Sequence, residues 1–206
     1  MIFCIDPGTR TGKNANSGLA VYENNGKLVE VKLTDPNLFF NLWINEDNLP
    51  ERNDDDVLVI EQPYMNPQMI KATIPLAKVV GKYEFIAEKS GAYIACNPFK
   101  PKQKAPTPSE WMKYIYTDLG INEGVFKIKK YSYMRSWLHN EGISKRAITN
   151  GITDDMVAAI CIGQWFFNKW LPDYITLYEE ELKHKTKASK QKKEAELILT
   201  ALGVSV

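Results

Sequence analysis

Short apolar runs, each closed by turn-forming residues, fill the first hundred positions of the chain. Ile2-Phe3-Cys4-Ile5-Asp6 ends at Pro7-Gly8, which predicts a strand running into a turn. Ser17–Tyr22 reads as a second strand, and Asn24-Asn25-Gly26 as a hairpin turn into a third over Lys27–Leu33. Residues 34–56 are polar and rich in Asn and Asp. The cluster Leu38-Phe39-Phe40-Asn41-Leu42-Trp43 within them predicts a helix followed by a loop. Val57-Leu58-Val59-Ile60-Glu61 is apolar on both faces, as a central parallel strand is. Leu76, Val79, Val80, Tyr83, Ile86 and Ala87 recur at helical spacing, with Gly91 as the stop. Tyr93-Ile94-Ala95-Cys96 predicts a fifth strand, broken by Asn97-Pro98. Helices are expected over 108–119 and 131–141, and Thr153 is placed to cap a helix running from Asp154 to about Lys169.

Three antiparallel strands, helix, strand, helix, strand and further helices predict an α/β fold: a mixed five-stranded sheet flanked by helices. Residues 1–170 make the expected body, and residues 171–206 a helical, Lys-rich extension. Within that extension 183–196 hold six lysines, an exposed helix or a tail that adds contacts to a polyanion. At 206 residues, 44% apolar and 25% charged, the chain has the composition of a globular domain. It has no apolar run of about 18 residues and its first residues (MIFCIDPG) carry no secretory pattern, so no membrane association is expected. The three cysteines, Cys4, Cys96 and Cys161, are widely spaced, which fits free thiols in a cytoplasmic, reducing compartment.

A formal charge of +1 argues against a uniformly basic nucleic-acid binder, but the charge is unevenly spread. Residues 1–88 carry 8 basic and 13 acidic side chains, whereas residues 89–150 carry 11 and 4. Trp111, Tyr114, Tyr116, Tyr131, Tyr133 and Trp137 are interleaved with the lysines of the second stretch. Such a mixture suits phosphate contacts with stacking on bases. It equally suits amphipathic helices that turn their aromatics to a core.

Two carboxylates stand out. Strand alternation puts Ile2, Cys4 and Asp6 on one face and Val57, Val59 and Glu61 on another, so each acid ends an apolar face. An ionised carboxylate there is costly without compensation, and two together repel. A divalent cation relieves both problems. Asp154 and Asp155 open the last body helix, where the helix dipole favours acids. The small residues Ala158, Ala159, Cys161 and Gly163 that follow let this helix lie close to a sheet, which carries its leading acids toward Asp6 and Glu61. An all-oxygen set of this kind suits Mg²⁺ or Mn²⁺.

Ile5-Asp6-Pro7-Gly8 with Gly18-Leu19-Ala20 resembles the first motif of the RuvC family of Holliday-junction resolvases. Val59-Ile60-Glu61-Gln62 is similar to the second motif, and Leu76–Gly81 to the helix after it. Tyr93–Lys100 resembles the next strand with its Pro-x-x-Lys element, and Asp154-Asp155 with Ala159–Gly163 the carboxylate helix. The likeness covers about residues 1–166, in order, and its divergence from bacterial members and its long insertions look more like a phage or mobile-element version. It implies an RNase H-like fold and a homodimeric, metal-dependent endonuclease that cleaves four-way DNA junctions. It further implies two metal ions per active site, bridged by Asp6, with Glu61 and Asp155 each completing one shell. Lys100, Lys102 and Lys104 would contact phosphates, and Tyr64 and Phe99 would prop open base pairs.

The chain departs from the family at one place. The family helix carries two acids three residues apart, and aligning the small residues puts Asp155 on the first and Ala158 on the second. Either Asp154 and Asp155 together serve, with Asp155 the stronger candidate, or Ala158 is an inactivating substitution that leaves a junction-binding protein. A nuclease for flaps or forks is a further alternative. His139 and His184 lack ligand spacing, and Gly8–Ser17 lacks the Gly-Lys-Ser/Thr junction of a phosphate loop.

Overall fold

The computed structural model describes residues 1–44, 56–63, 70–95, 106–143, 151–183 and Thr200. Its sheet has five strands: β1 Ile2–Asp6, β2 Ser17–Tyr22, β3 Leu28–Thr34, β4 Val57–Ile60 and β5 Tyr93–Ala95. They lie in the order β3-β2-β1-β4-β5, and β2 runs against the other four. This is the expected mixed sheet, three antiparallel strands followed by two parallel ones. The hairpin between β2 and β3 turns where Asn24-Asn25-Gly26 predicts, with Gly26 at φ +86°.

Helices cover both faces. α1 (Pro36–Ile44) and α2 (Ile70–Ser90) lie on one side; α3 (Pro108–Asp118), α5 (Lys130–Asn140) and α6 (Asp154–Trp165) lie on the other, with the short α4 (Glu123–Ile128) between α3 and α5. Side-chain alternation decides which face each strand residue serves. Phe3, Ile5, Leu19, Val21, Leu58 and Ile60 pack with Phe39 of α1 and Tyr83 of α2. Ile2, Cys4, Ala20, Tyr22, Val57 and Val59 pack with α6. Cys4 and Cys161 are buried free thiols in this second cluster, and Cys96 lies outside the described residues.

α2 begins earlier than the spacing predicts and runs through Pro75, which forfeits one backbone hydrogen bond in its second turn. It ends as expected at Gly91, φ +80°, with the Ala92 amide donating to Ala87 O at 3.0 Å. α4 has no counterpart in the sequence reading because six residues are too few to show a period. α6 does not stop near Lys169. It passes through a wider π turn at Phe166–Trp170 into α7 (Leu171–Lys183). Residues 184–199, most of the Lys-rich stretch, and His184 lie outside the described residues. No helix among the described residues is long and apolar enough to cross a membrane.

Candidate metal and nucleic-acid site

β1 and β4 are parallel neighbours, with Ile5 opposite Ile60 and the Glu61 amide donating to Ile5 O at 2.9 Å. Asp6 and Glu61 therefore leave adjacent strand ends, about 5 Å apart in backbone spacing. Both continue the faces of Cys4 and Val59, which are the faces covered by α6.

α6 reaches them because two glycines let it touch the sheet. Gly18 pairs with Asp6 across β1 and β2, and a Cβ on Gly18 would overlap the carbonyl of Asp155. At the other end of the helix, a Cβ on Gly163 would overlap the ring of Tyr22, whose hydroxyl donates to Ile160 O at 2.9 Å. Thr153 caps the helix as expected, its hydroxyl accepting from the Met156 amide at 3.3 Å. The start of α6 is thus pressed onto β2 beside Asp6.

The two leading acids separate. Asp155 is half-buried and its charge acts on Asp6. Asp154 is 53% exposed and pairs with Arg135 of α5 at 3.1 Å, and the same guanidinium donates to Ile152 O. Adjacent helical residues point about 100° apart, which is why only one faces the sheet. Ala158, one turn beyond Asp155, is 2% exposed and belongs to the apolar cluster.

Asp6 feels the charges of both Glu61 and Asp155, and the proton affinities of all three acids are raised. Burial, then repulsion from Glu61 and Asp155, holds the Asp6 carboxyl well above its ordinary range, against the pull of Lys130. Burial pushes Glu61 up to about 7, although the hydrogen bond from Trp111 and the charge of Lys130 favour its ionised form. Asp155 rises through burial and its neighbour Asp154, offset by Lys130 and Arg10. Trp111 Nε1 donates to Glu61 Oε2 at 2.6 Å in the buried interior, which fixes the direction of that carboxylate.

No family model matches this chain, and no curated protein matches it.

The donor set fits a hard divalent cation: carboxylate oxygens from a strand, a second strand and a helix start, carrying negative charge in excess of the nearby cations. Among the described residues no three acidic, His or Cys side chains stand close enough to grip an ion as they are. Tyr64, Phe99, Lys100, Lys102 and Lys104 all lie outside the described residues.

The stacking role considered for the aromatics of 111–137 is closed to the two tryptophans, which are buried. Trp111 and Trp137 are 2% and 0% exposed, and Tyr114, Tyr116, Tyr131 and Tyr133 pack against the same core. Tyr114 meets the Trp137 ring edge-on at 5.9 Å, and Trp137 Nε1 donates to Asp118 at 2.8 Å. Burying that apolar area outweighs leaving it exposed for a ligand. Four positions carry more than the sequence reading assigned them: Gly18, Trp111, Lys130 and Arg135. For Lys130 a signal existed, since it lies four residues before Met134 and seven before Trp137, on the buried face of α5.

The Glu61 shift has a thermodynamic consequence. A carboxyl with a raised folded-state value binds its proton more tightly folded than unfolded. Stability is then full below about 4.5 and falls as pH rises through about 7. The cost is on the order of 3 kcal/mol for Glu61 alone, and Asp6 shifts in the same direction. Urea midpoints with a chelator present should therefore fall between pH 4.5 and 7.5, and Glu61→Gln should flatten the profile. An unchanged slope in Glu61→Gln would show that Glu61 is not the group responsible.

Proposed function

We propose that the protein is a divalent-cation-dependent endonuclease of the RuvC type, acting on four-way DNA junctions as a homodimer in the cytosol of a bacterial or phage-infected cell. The observation that carries this reading is the convergence of Asp6, Glu61 and Asp155 at two parallel strand ends and one helix start, with more negative charge than its surroundings balance. Two buried free cysteines are in keeping with a reducing compartment. A two-fold dimer supports paired incisions because it presents two equivalent sites to a symmetric junction.

Asp6, Glu61 and Asp155 would hold the ions, Mg²⁺ or Mn²⁺ and two per site by the family resemblance. When bound they supply an activated water and neutralise the phosphate. In the reaction, water oxygen adds to phosphorus, the P–O3′ bond breaks, and a proton ends on the leaving O3′. The products are a 5′-phosphate and a 3′-hydroxyl. Trp111 fixes the direction of the Glu61 carboxylate, and the close approach of Gly18 to the Asp155 backbone seats the start of α6 beside Asp6. Arg135 draws Asp154 away, so Asp154 is the weaker ligand of the pair. Lys100, Lys102 and Lys104 follow β5 in sequence and are proposed phosphate contacts, with Tyr64 and Phe99, which follow β4 and β5 in sequence, as proposed wedges.

Ala158 favours one second reading, a junction-binding protein without cleavage, because a buried methyl occupies the place of a second acid on α6. A panel of synthetic four-way junctions, flaps and forks with Mg²⁺ or Mn²⁺ separates the readings. Preferential junction cutting is expected. Equal cutting of flaps would make the protein a general branched-DNA nuclease. Junction binding without cutting, restored to cutting by Ala158→Asp, would make it a binder.

A further inference from the structure

We infer that Asp35 is a positioning residue: it anchors the loop between β1 and β2 so that Arg10, on that loop, meets a phosphate of the DNA backbone beside the carboxylate site. The inference rests on the nuclease reading of that site. Residues 7–16 hold two basic side chains, Arg10 and Lys13, and no acid. Three hydrogen bonds fix the loop. Gly8 N donates to the Ser17 hydroxyl at 3.0 Å, and Arg10 N donates to Asn16 Oδ1 at 2.8 Å. Both join the loop to its own stem. The third reaches outside it: Gly12 N donates to Asp35 Oδ2 at 2.5 Å, across 23 positions.

Asp35 is 1% exposed and immediately precedes α1. Its Oδ1 accepts from the amides of Asn37 and Leu38 at 2.8 and 3.0 Å, an ordinary helix cap that a serine would also supply. Capping therefore explains one oxygen of a buried carboxylate. The other goes to Gly12, which opens the 3₁₀ turn Gly12–Asn14 at a left-handed φ of +63°. Arg10 is exposed, its backbone is tied at its own amide and again two residues on, and its charge acts on the Asp155 carboxylate. The loop thus presents a guanidinium at the edge of the acid cluster. A guanidinium pairs with phosphate through two parallel hydrogen bonds. Such a contact sets where the DNA backbone lies relative to the acids.

The test uses the full chain carrying Asp35→Asn, Asp35→Ser, Arg10→Gln, or Arg10→Gln with Asp35→Asn. Asparagine keeps an oxygen for the cap but turns an NH₂ group toward the Gly12 amide, donor against donor. Serine keeps the cap and lacks the second acceptor. Affinity for a synthetic four-way junction is measured in Ca²⁺ over a salt series, at a temperature where melts show each protein folded. Both Asp35 changes remove a negative charge, so net charge alone would tighten DNA binding. The opposite is expected: both Asp35 variants and Arg10→Gln should bind about three- to tenfold more weakly, with the salt slope reduced by about one. The double variant should bind within about twofold of Arg10→Gln, because the two changes remove the same contact. Asp35 variants that bind as tightly as wild type or tighter overturn this inference alone. So does a double variant whose losses multiply, or an Arg10→Gln protein, with its Asp35 contacts intact, that binds as wild type does. A wild type that neither binds nor cuts branched DNA overturns both this inference and the nuclease reading.

Discussion

Asp6→Asn is expected to abolish junction cleavage and, in the same protein, to raise the melting temperature measured in chelator. Both effects have one cause. Asp6 ends an apolar strand face in a recess shared with Glu61 and Asp155, and burial and repulsion together disfavour its ionised form. Without metal, the charge on Asp6 therefore works against the fold at neutral pH, and an amide of the same shape removes it. With metal, that charge is what holds the ion. Wild type should gain stability on addition of Mn²⁺ at pH 8, as any ligand bound only by the folded state confers. Asp6→Asn should gain little. Cleavage should fall by more than the ~10–100-fold typical of changes to groups that merely support a metal ligand. Thermal melts with and without Mn²⁺, alongside a cleavage assay, read both effects. A variant less stable than wild type in chelator would mean that Asp6 is a structural residue.

Gly18→Ala should cost more stability than any other Gly→Ala change among the described glycines. The added Cβ would overlap the Asp155 carbonyl, so backbone meets backbone and no side chain can turn aside. Overpacking of this sort costs about 1–3 kcal/mol, and contact with main chain on both sides puts Gly18 at the upper end. The start of α6 must lift from β2, and a displacement of about 1 Å at a catalytic group is enough to cost ~10²-fold in rate. Gly81→Ala is the matched control. Gly81 is inside α2 with nothing within 4 Å of an added Cβ, and removing a helical glycine should stabilise by up to about 1 kcal/mol. Opposite signs from the same substitution would separate close approach from general tolerance. Gly18→Ala with wild-type stability would mean that α6 does not seat on β2 as described.

Much of the site could be read from the chain because it is built from local periodicities. Alternation along Ile2–Asp6 and Val57–Glu61 assigned both carboxylates to the ends of apolar faces, and the sheet places those faces together under α6. The small residues Ala158, Ala159, Cys161 and Gly163 foretold close helix–sheet contact, and the Gly163–Tyr22 approach is such a contact. What escaped the reading depends on partners distant in sequence. Trp111 reaches Glu61 across fifty positions, and no local pattern marks that hydrogen bond. The aromatics between 111 and 137 had two equivalent readings until the packing of α3, α4 and α5 assigned them to a core. Lys130 was hidden among ten other basic residues between 89 and 150, distinguished only by its register with Met134 and Trp137. Asp154 and Asp155 could be ranked by the angle between neighbours on a helix, but the Arg135 pair that draws Asp154 aside is again a long-range contact.

The most direct test of the account is incubation of the wild-type protein with a synthetic four-way junction, in Mg²⁺ and in chelator. Paired nicks in opposite strands, with 5′-phosphate and 3′-hydroxyl ends, are expected in Mg²⁺ alone. Cleavage that persists in chelator, or cleavage left intact by Asp6→Asn, would contradict it.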